Sequence, residues 1–237
     1  MLIRITEYCT MGCSHCLVDA DEGGTHMDID TFRAAIAFSS RFDSMLLISG
    51  GEPSQHPRFL GFLDMIPKEM KDLSGILSNG MFLEDEGYAK EILDRGISMQ
   101  VTNDDRFYPK RIKLIEHPQI VYEDRIRCIS PFGRAVKNKL PITQQYPGCF
   151  NIRSLAGAAE SFLKVIFQLR LVARKFCTPS VNIDGSVSAG ETKYCGRIGT
   201  VYSTDEELLE NARSLKCETC GLSKNLEGKF KEVWEKS

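Results

Sequence analysis

The sequence predicts an α/β fold: a parallel sheet curled into a partial (βα) barrel, with a small cysteine-rich extension at the C-terminal end. Two observations predict the barrel. Short apolar runs alternate with segments of helical periodicity through residues 2–102. Loops rich in Cys, Gly, Asn or Asp follow directly after those runs. The extension is predicted from the cysteines that gather beyond residue 176.

The composition narrows the class of protein. The 237 residues, 42% of them apolar, suffice for one substantial core, with or without a small added module. A formal net charge of -2 gives no basic excess, so neither a membrane nor a nucleic-acid partner is expected. The opening run Met1–Ile5 enters a strand without the pattern of a signal peptide. The nine cysteines are therefore expected in the cytoplasm, as metal ligands, catalytic groups or buried small side chains rather than as disulfides.

The first four strands and three helices follow one another regularly. Strands are predicted at 2–6, 45–49, 75–78 and 97–102, and the run at 45–49 is continuously apolar. Helices are predicted at 29–42 with Asp28 or Asp30 as N-cap, at 56–70, and at 84–95 ended by Gly96. Since the carboxyl ends of parallel strands share one edge, the loops after these strands are expected to form the ligand site.

Beyond the fourth strand the pattern weakens. A short helix is predicted at 106–116, and 119–122 and 125–129 could be strands. Two residues between the latter are too few for a parallel crossover, so they form a hairpin or one of them is not a strand. Prolines make 131–147 a connector. A soluble helix is predicted at 154–175, and the tail after it has no clear helical or strand period.

Three cysteines lie within eight positions of the first loop. Cys9, Cys13 and Cys16 supply thiolates, which are the ligands of iron–sulfur clusters and other soft metals. Three ligands for a four-iron cluster leave one iron open, as a catalytic metal site requires. Gly12 would let the loop wrap tightly. The alternative is a zinc-binding loop in which His15 or a distant cysteine is the fourth ligand.

A second unusual loop follows the second strand. Gly50 and Gly51 allow close approach of the backbone to a ligand, and Glu52 offers a carboxylate to an ammonium group before Pro53. Taken alone, this tetrapeptide could be an ordinary turn.

The C-x3-C-x2-C triad, together with the Gly-Gly-Glu-Pro loop about 34 residues later, resembles the radical S-adenosylmethionine (SAM) superfamily. The resemblance covers residues 1–130 and implies a partial barrel of that type. It implies a [4Fe-4S] cluster on Cys9, Cys13 and Cys16, whose open iron binds SAM, and an electron donor such as ferredoxin or flavodoxin. His15 would lie near the adenine. The SAM contacts that it implies are His15, Gly50, Gly51, Glu52, Ser78, Asn79, Thr102 and Asp104.

The C-terminal cysteines form a second group. Their spacing resembles the SPASM or twitch extensions of radical SAM enzymes and implies an auxiliary [4Fe-4S] cluster on Cys177, Cys195, Cys217 and Cys220. Cys149 could replace one of these ligands, whereas Cys128 lies in an apolar run and is expected in the core. The alternative is a four-thiolate zinc knot that fastens the tail.

The predicted organisation is a radical SAM domain at 1–135, a connector and helix at 136–176, and the cluster extension at 177–237. The resemblance implies an oxidoreductase that cleaves SAM reductively to a 5'-deoxyadenosyl radical, which abstracts hydrogen from a substrate. A peptide or protein side chain is the first candidate substrate, and a small molecule is the second. A non-catalytic zinc scaffold is the competing class of protein. RNA modification is disfavoured by the near-neutral charge.

Overall fold

The computed structural model of the chain describes residues 1–41, 46–126, 129–130, 132–142, 179–190, 192–193 and 195–214. Its strands, in chain order, are β1 Leu2–Thr6, β2 Leu47–Gly50, β3 Gly75–Ser78, β4 Ser98–Thr102, β5 Ile120–Glu123, β6 Ser180–Val181, β7 Ser186–Ser188 and β8 Arg197–Thr200. Its helices are α1 Ile29–Ser40, α2 Phe59–Met65, α3 Lys68–Lys71, α4 Glu86–Leu93, α5 Arg134–Lys137 and α6 Asp205–Ser214, with short 3-10 helices at Pro53–Gln55 and Met81–Glu84.

All the described strands belong to one sheet, in the order β5-β4-β3-β2-β1-β6-β7-β8. Strands β1 to β5 run parallel to their neighbours, β6 is parallel to β1, and β7 and β8 are antiparallel additions. The predicted mixed α/β fold on a mostly parallel sheet is therefore confirmed.

The two faces of this sheet differ in chemistry. One row of side chains that pair across successive strands is apolar and buried, namely Ile3, Ile48, Ile76, Met99 and Ile120. Alternate residues point to the opposite face. There Arg4 donates to Ser180 Oγ at 2.9 Å, and Gln100 is exposed. The apolar face forms the core, and the other face carries polar residues together with Leu47 and Leu77.

The predicted N-cap of α1 is resolved in favour of Asp28. Its Oδ1 accepts from the backbone N–H of Asp30 at 2.9 Å and of Thr31 at 2.8 Å, which satisfies two donors at the helix start. Phe32 of α1 stacks on Phe62 of α2 with ring centroids 4.1 Å apart. Capping thus sets where α1 begins, and aromatic packing joins it to the next helix.

Two predicted helices are shorter than expected. The helix predicted at 56–70 is broken into α2 and α3, because Pro67 lacks an N–H and disfavours helical backbone at Ile66, whose ψ is 124°. The helix predicted at 84–95 is confirmed as α4. Gly96 follows it in left-handed conformation with φ of +77°.

The prediction of a helix at 106–116 is wrong, because these residues form an irregular segment. Pro109 cannot donate a helical hydrogen bond. The backbone instead bonds outward: Phe107 O accepts from Ser14 N at 3.1 Å, and Ile115 N donates to the hydroxyl of Tyr122 at 3.0 Å. These long-range bonds replace the ladder of a helix.

The second strand of the predicted pair, at 125–129, is also wrong over its described residues, none of which is in a strand. Strand β5 ends at Glu123, and Ile126 N donates to the carboxylate of Asp104 at 2.8 Å rather than to a neighbouring strand. The first of the two alternatives, a hairpin at this point, is therefore excluded for the described residues.

The tail has more regular structure than predicted. Strands β6 and β7 form a hairpin in which Asp184 Oδ1 accepts from Ser186 N at 2.9 Å and Gly185 has φ of +75°. Helix α6 opens with a capping box between Thr204 and Glu207. The helix predicted at 154–175 lies outside the described residues.

Candidate active site

The cysteine loop begins at the carboxyl end of β1 and is fastened from several sides. Cys9 N donates to Asp21 O at 3.0 Å, and the side chain of Gln55 bonds both the backbone and the hydroxyl of Thr10, at 3.1 and 2.7 Å. Arg134 N donates to Cys16 O at 2.9 Å. The loop is therefore held by β1, by the segment after β2 and by the start of α5. Gly12 adopts the left-handed conformation expected of a tight wrap, with φ of +71°.

The three thiols of the loop lie in a desolvated environment. Cys9 and Cys13 are buried and Cys16 is half-buried, and none of them is in a disulfide. Burial raises the pKa of Cys9, and burial together with the neighbouring thiols of Cys16 and Cys9 raises the pKa of Cys13 to about 12. Cys9 and Cys13 are thus neutral thiols until a metal displaces their protons.

N–H donors lie close to two sulfurs of the loop and can stabilise negative charge on them. Met11 N lies 3.5 Å from Cys9 Sγ, Ala20 N lies 3.4 Å from Cys16 Sγ, and Asn79 Nδ2 lies 3.4 Å from Cys9 Sγ. Thiolates that hold iron–sulfur clusters are stabilised by such donors. The donor set of this loop therefore fits a cluster.

The three thiols of the triad do not surround a single point. Within the described ranges, no three His, Cys, Asp or Glu side chains form a group that could hold one metal ion. In a four-iron cluster each iron takes its own thiolate, so the three sulfurs need not converge. The assignment of Cys9, Cys13 and Cys16 as cluster ligands stays a prediction.

His15 is packed among aromatic rings beside the triad. Its ring lies 4.8 Å from that of Phe107 and, nearly parallel, 6.0 Å from that of Tyr108. Burial lowers the pKa of His15 to about 4, so the imidazole is neutral. Its Nδ1 is buried without a hydrogen-bond partner. A buried polar atom without a partner is costly, and a bound cofactor would relieve that cost. The predicted position of His15 near the adenine stays a prediction.

Glu52 connects the ends of β2 and β3. The side chain is fully buried, and its Oε1 accepts from Ser54 N, Ser54 Oγ and Ser78 Oγ at 3.1, 2.6 and 2.9 Å. Its Oε2 accepts from Asn79 N at 2.7 Å. Burial raises the pKa of Glu52, and these donors oppose the rise. One lone pair of Oε2 has no donor among these bonds, and the contact of Glu52 with the ammonium group of SAM stays a prediction.

The glycines before Glu52 have a structural role that the sequence does not reveal. A Cβ at Gly50 would collide with the carbonyl oxygen of Thr6, and a Cβ at Gly51 would collide with that of Tyr8. Gly50 also has φ of +142°. Both residues are glycine because β2 lies against the backbone that leads into the cysteine loop. Contact of these glycines with SAM stays a prediction.

The remaining predicted SAM contacts come together at the same edge. Ser78 and Asn79 are buried and bonded to Glu52, and Thr102 is half-buried and hydrogen-bonded through its side chain to Tyr108. Asp104 is fully buried, but both of its oxygens bind elsewhere. Arg106 donates to it from Nε at 2.8 Å and from Nη2 at 2.5 Å. The carboxylate of Asp104 is thus occupied by Arg106, and its predicted contact with SAM stays a prediction.

The Asp104–Arg106 pair is expected to make the free energy of unfolding depend on pH in acid. The hydrogen bond from Arg106 lowers the pKa of Asp104 from 3.8 to about 2. Since the folded-state pKa lies below the unfolded one, the stabilisation is complete above about pH 4 and is lost as the pH falls toward 2. Asp104→Asn should remove at most about 2 kcal/mol from the free energy of unfolding at neutral pH. It should also flatten the acid limb, meaning the loss of this free energy as the pH falls from about 4 toward 2. Urea unfolding from pH 7 to pH 2 measures both effects.

The control for this experiment is Asp94→Asn, which breaks an exposed pair with Lys90 on α4. Exposed pairs contribute little, so this variant should lose less than about 0.5 kcal/mol and keep the acid limb. An Asp104→Asn protein with an unchanged acid limb would show that the pair does not depress the pKa of Asp104.

Sequence reasoning missed three side chains of the site. Tyr108 lies beside His15. The charge of Arg134 opposes the rise in the pKa of the Cys13 thiol, and Gln55 fastens Thr10. The segment around Arg134 was predicted only as a junction, and Tyr108 lay inside a predicted helix. Pro109 directly after Tyr108 was the available indication that this segment is irregular.

Of the C-terminal cysteines only Cys195 lies in the described residues. It is half-buried, free of disulfide, and its N–H donates to Thr192 O at 3.1 Å. Cys128, Cys149, Cys177, Cys217 and Cys220 lie outside the described residues, so the auxiliary ligand set stays a prediction.

Among the described residues, no helix combines the length and the apolar character needed to cross a membrane.

Comparison with known proteins agrees with this geometry. Residues 3–146 match the family model of the radical SAM superfamily. The fold is similar to that of BtrN in complex with AdoMet and 2-DOIA, with a TM-score of 0.58 and 14% identity over 98% of this chain and 89% of that one. It is also similar to Streptococcus suis SuiB bound to S-adenosylmethionine, with a TM-score of 0.53 and 12% identity over 96% of this chain and 69% of that one. No curated protein matches the chain. The chain belongs to the radical SAM superfamily, whose enzymes use a [4Fe-4S] cluster and SAM.

Proposed function

We propose that this radical SAM enzyme abstracts a hydrogen atom from a side chain of a peptide or protein. When bound and reduced, the cluster and SAM supply the 5'-deoxyadenosyl radical for that step. The observation that supports the cofactor site is the junction of the cysteine loop with Glu52 and Asn79 at one edge of the sheet. Cys9, Cys13 and Cys16 would hold the cluster, and Glu52 would accept from the amino group of SAM.

The edge of the sheet supports a peptide substrate. In the part of the chain that the structure describes, β5 is the outermost strand on its side. Val121 in this strand is 65% exposed, and its partner Gln100 in β4 is exposed on the same face. An extended peptide can pair with such a strand through main-chain hydrogen bonds.

The C-terminal extension supports the same substrate class, because SPASM and twitch extensions frequently accompany peptide-modifying enzymes. The hairpin of β6 and β7 lies between Cys177 and Cys195 in the sequence and is joined to β1. We propose that Cys177, Cys195, Cys217 and Cys220 hold an auxiliary [4Fe-4S] cluster within the extension at 177–237, which joins the sheet of the radical SAM domain at 1–135 through β6. A ferredoxin or flavodoxin in the cytoplasm would be the reductant.

A small molecule is the second candidate substrate. BtrN, whose fold this chain shares, was crystallised with 2-DOIA as well as AdoMet.

The two substrate classes can be separated by size and protease sensitivity. An extract of the source cells is divided into a peptide fraction and a metabolite fraction. Each is added to the anaerobic, reduced protein with SAM, and 5'-deoxyadenosine is measured above the substrate-free background. We expect the peptide fraction to raise the yield at least about threefold, and protease treatment to abolish the rise. Stimulation only by the metabolite fraction, insensitive to protease, would favour the small molecule.

Substitution at the edge strand provides the matched control. Val121→Lys places a charge on the exposed side chain of β5, and Leu114→Lys does the same at an exposed position before it. If a peptide lies along β5, only Val121→Lys should lose the stimulation, while the substrate-free background of SAM cleavage stays as in the original protein. Equal behaviour of the two variants would contradict docking at this edge.

A further inference from the structure

The carboxamide of Asn79 is fixed with its donor toward sulfur. Its Oδ1 accepts from Met81 N at 3.0 Å, and its Nδ2 lies 3.4 Å from Cys9 Sγ. Asn79 and Cys9 are only 7% and 8% exposed. Because the oxygen is occupied by a backbone N–H, the amide is held in the orientation that presents N–H to Cys9.

We propose that Asn79 is a positioning residue that sets the reduction potential of the cluster on Cys9, Cys13 and Cys16. This proposal rests on the cluster of the superfamily and goes beyond the predicted contact of Asn79 with the ribose of SAM. A donor to a ligand sulfur neutralises part of its negative charge and therefore favours the reduced, more negative cluster.

Asn79 differs from the other donors to the sulfurs of the triad because it comes from outside the cysteine loop. The other N–H groups on these sulfurs include those of Met11 and Gly12 at Cys9 and of Ala20 at Cys16, which belong to the backbone of the loop itself. Among the described residues, Asn79 is the side chain that reaches a sulfur of the triad from another strand. Its backbone N–H donates to Glu52 at 2.7 Å, so the same residue touches the expected binding group for SAM and a ligand of the cluster.

The test is a potentiometric titration of the reconstituted protein without SAM, followed by electron paramagnetic resonance. Asn79→Ala removes the donor. Asn79→Ser removes it too, because its hydroxyl is one bond shorter, but can still accept from Met81 N and preserve the turn. We expect the equilibrium constant for reduction to fall about tenfold in both variants, a shift of about 59 mV to lower potential.

Asn138→Ala is the matched control. Its Nδ2 donates to Ser14 O at 2.8 Å, so this asparagine also fastens the cysteine loop, but through a backbone carbonyl. The midpoint potential of this variant should not change.

Three results would overturn the proposal. The first is an unchanged potential in both Asn79 variants at full iron content. The second is an equal shift in Asn138→Ala. The third is loss of the cluster from both Asn79 variants, which would make Asn79 a residue that holds the cluster rather than tunes it. Weaker binding of SAM at an unchanged potential falls under the first result. It would indicate that Asn79 contacts the ribose of SAM instead of setting the potential. If the original protein itself assembles no cluster, the cofactor assignment fails instead.

Discussion

Replacing Cys13 by alanine is expected to reduce the formation of 5'-deoxyadenosine to background. Cys13 would supply one of the three thiolates, and its side chain is buried within electrostatic reach of Cys9 and Cys16. An alanine leaves one iron of the cluster without a protein ligand, in addition to the one that SAM requires. The measurement is the iron content of anaerobically reconstituted protein, together with the yield of 5'-deoxyadenosine after reduction by dithionite.

The control for this variant is Cys195→Ala, since Cys195 belongs to the proposed auxiliary cluster and not to the loop. With two four-iron clusters, the original protein should hold about eight irons, and each variant about four. Only Cys195→Ala should keep substrate-free cleavage of SAM. If both variants lose all their iron, the two clusters are not independent. If Cys13→Ala still forms 5'-deoxyadenosine, the triad is not the catalytic centre.

Replacing Glu52 by alanine is expected to be the most destabilising change at the site outside the cysteines. The carboxylate accepts four hydrogen bonds in a fully buried position and joins the end of β2 to Ser78 and Asn79 of the β3 loop. Its removal leaves buried donors unsatisfied, at a cost of about 3 kcal/mol or more in the free energy of unfolding. Urea unfolding of the metal-free protein measures this cost.

Asp85→Ala is a suitable control, because Asp85 is also a carboxylate that bonds backbone N–H groups, here that of Tyr88 at the start of α4, but near the surface. Loss of such a cap costs about 1 kcal/mol. An equal loss in the two variants would show that burial adds nothing at Glu52.

Glu52→Gln tests the predicted contact with SAM in a folded protein. The amide keeps the shape of the side chain but cannot carry the charge that attracts an ammonium group, and its nitrogen cannot accept the hydrogen bond from Asn79 N. The affinity for SAM is expected to fall at least tenfold, measured by equilibrium dialysis of the anaerobic protein. An unchanged affinity would leave Glu52 with the structural role alone.

Strands β1 to β4 were predictable because strands buried in a parallel sheet are short, mainly apolar segments. The apolar runs at 2–6 and 75–78 match β1 and β3 residue for residue. The hairpin of β6 and β7 was not predicted, because its strands are two and three residues long and rich in serine. The Asp184-Gly185 dipeptide was the local indication of its turn. Short strands that pair with a distant strand such as β1 leave little periodicity in the sequence.

The site could be predicted where chemistry depends on residue type and spacing, and not where it depends on packing. The cysteine triad and Glu52 fall at adjacent strand ends, as their positions after apolar runs indicated. The capture of Asp104 by Arg106 could not be predicted, because it depends on the irregular path of residues 105–116. The need for glycine at position 50 could not be predicted either, because it depends on how closely β2 approaches the backbone of Thr6.

The central claim is that the cysteine loop and the Glu52 loop together cleave SAM. The most direct measurement is the anaerobic reaction of the reconstituted protein with dithionite and SAM, analysed for methionine and 5'-deoxyadenosine. The account predicts a brown protein that forms the two products in equal amounts. A colourless, zinc-containing protein that forms neither product would contradict it.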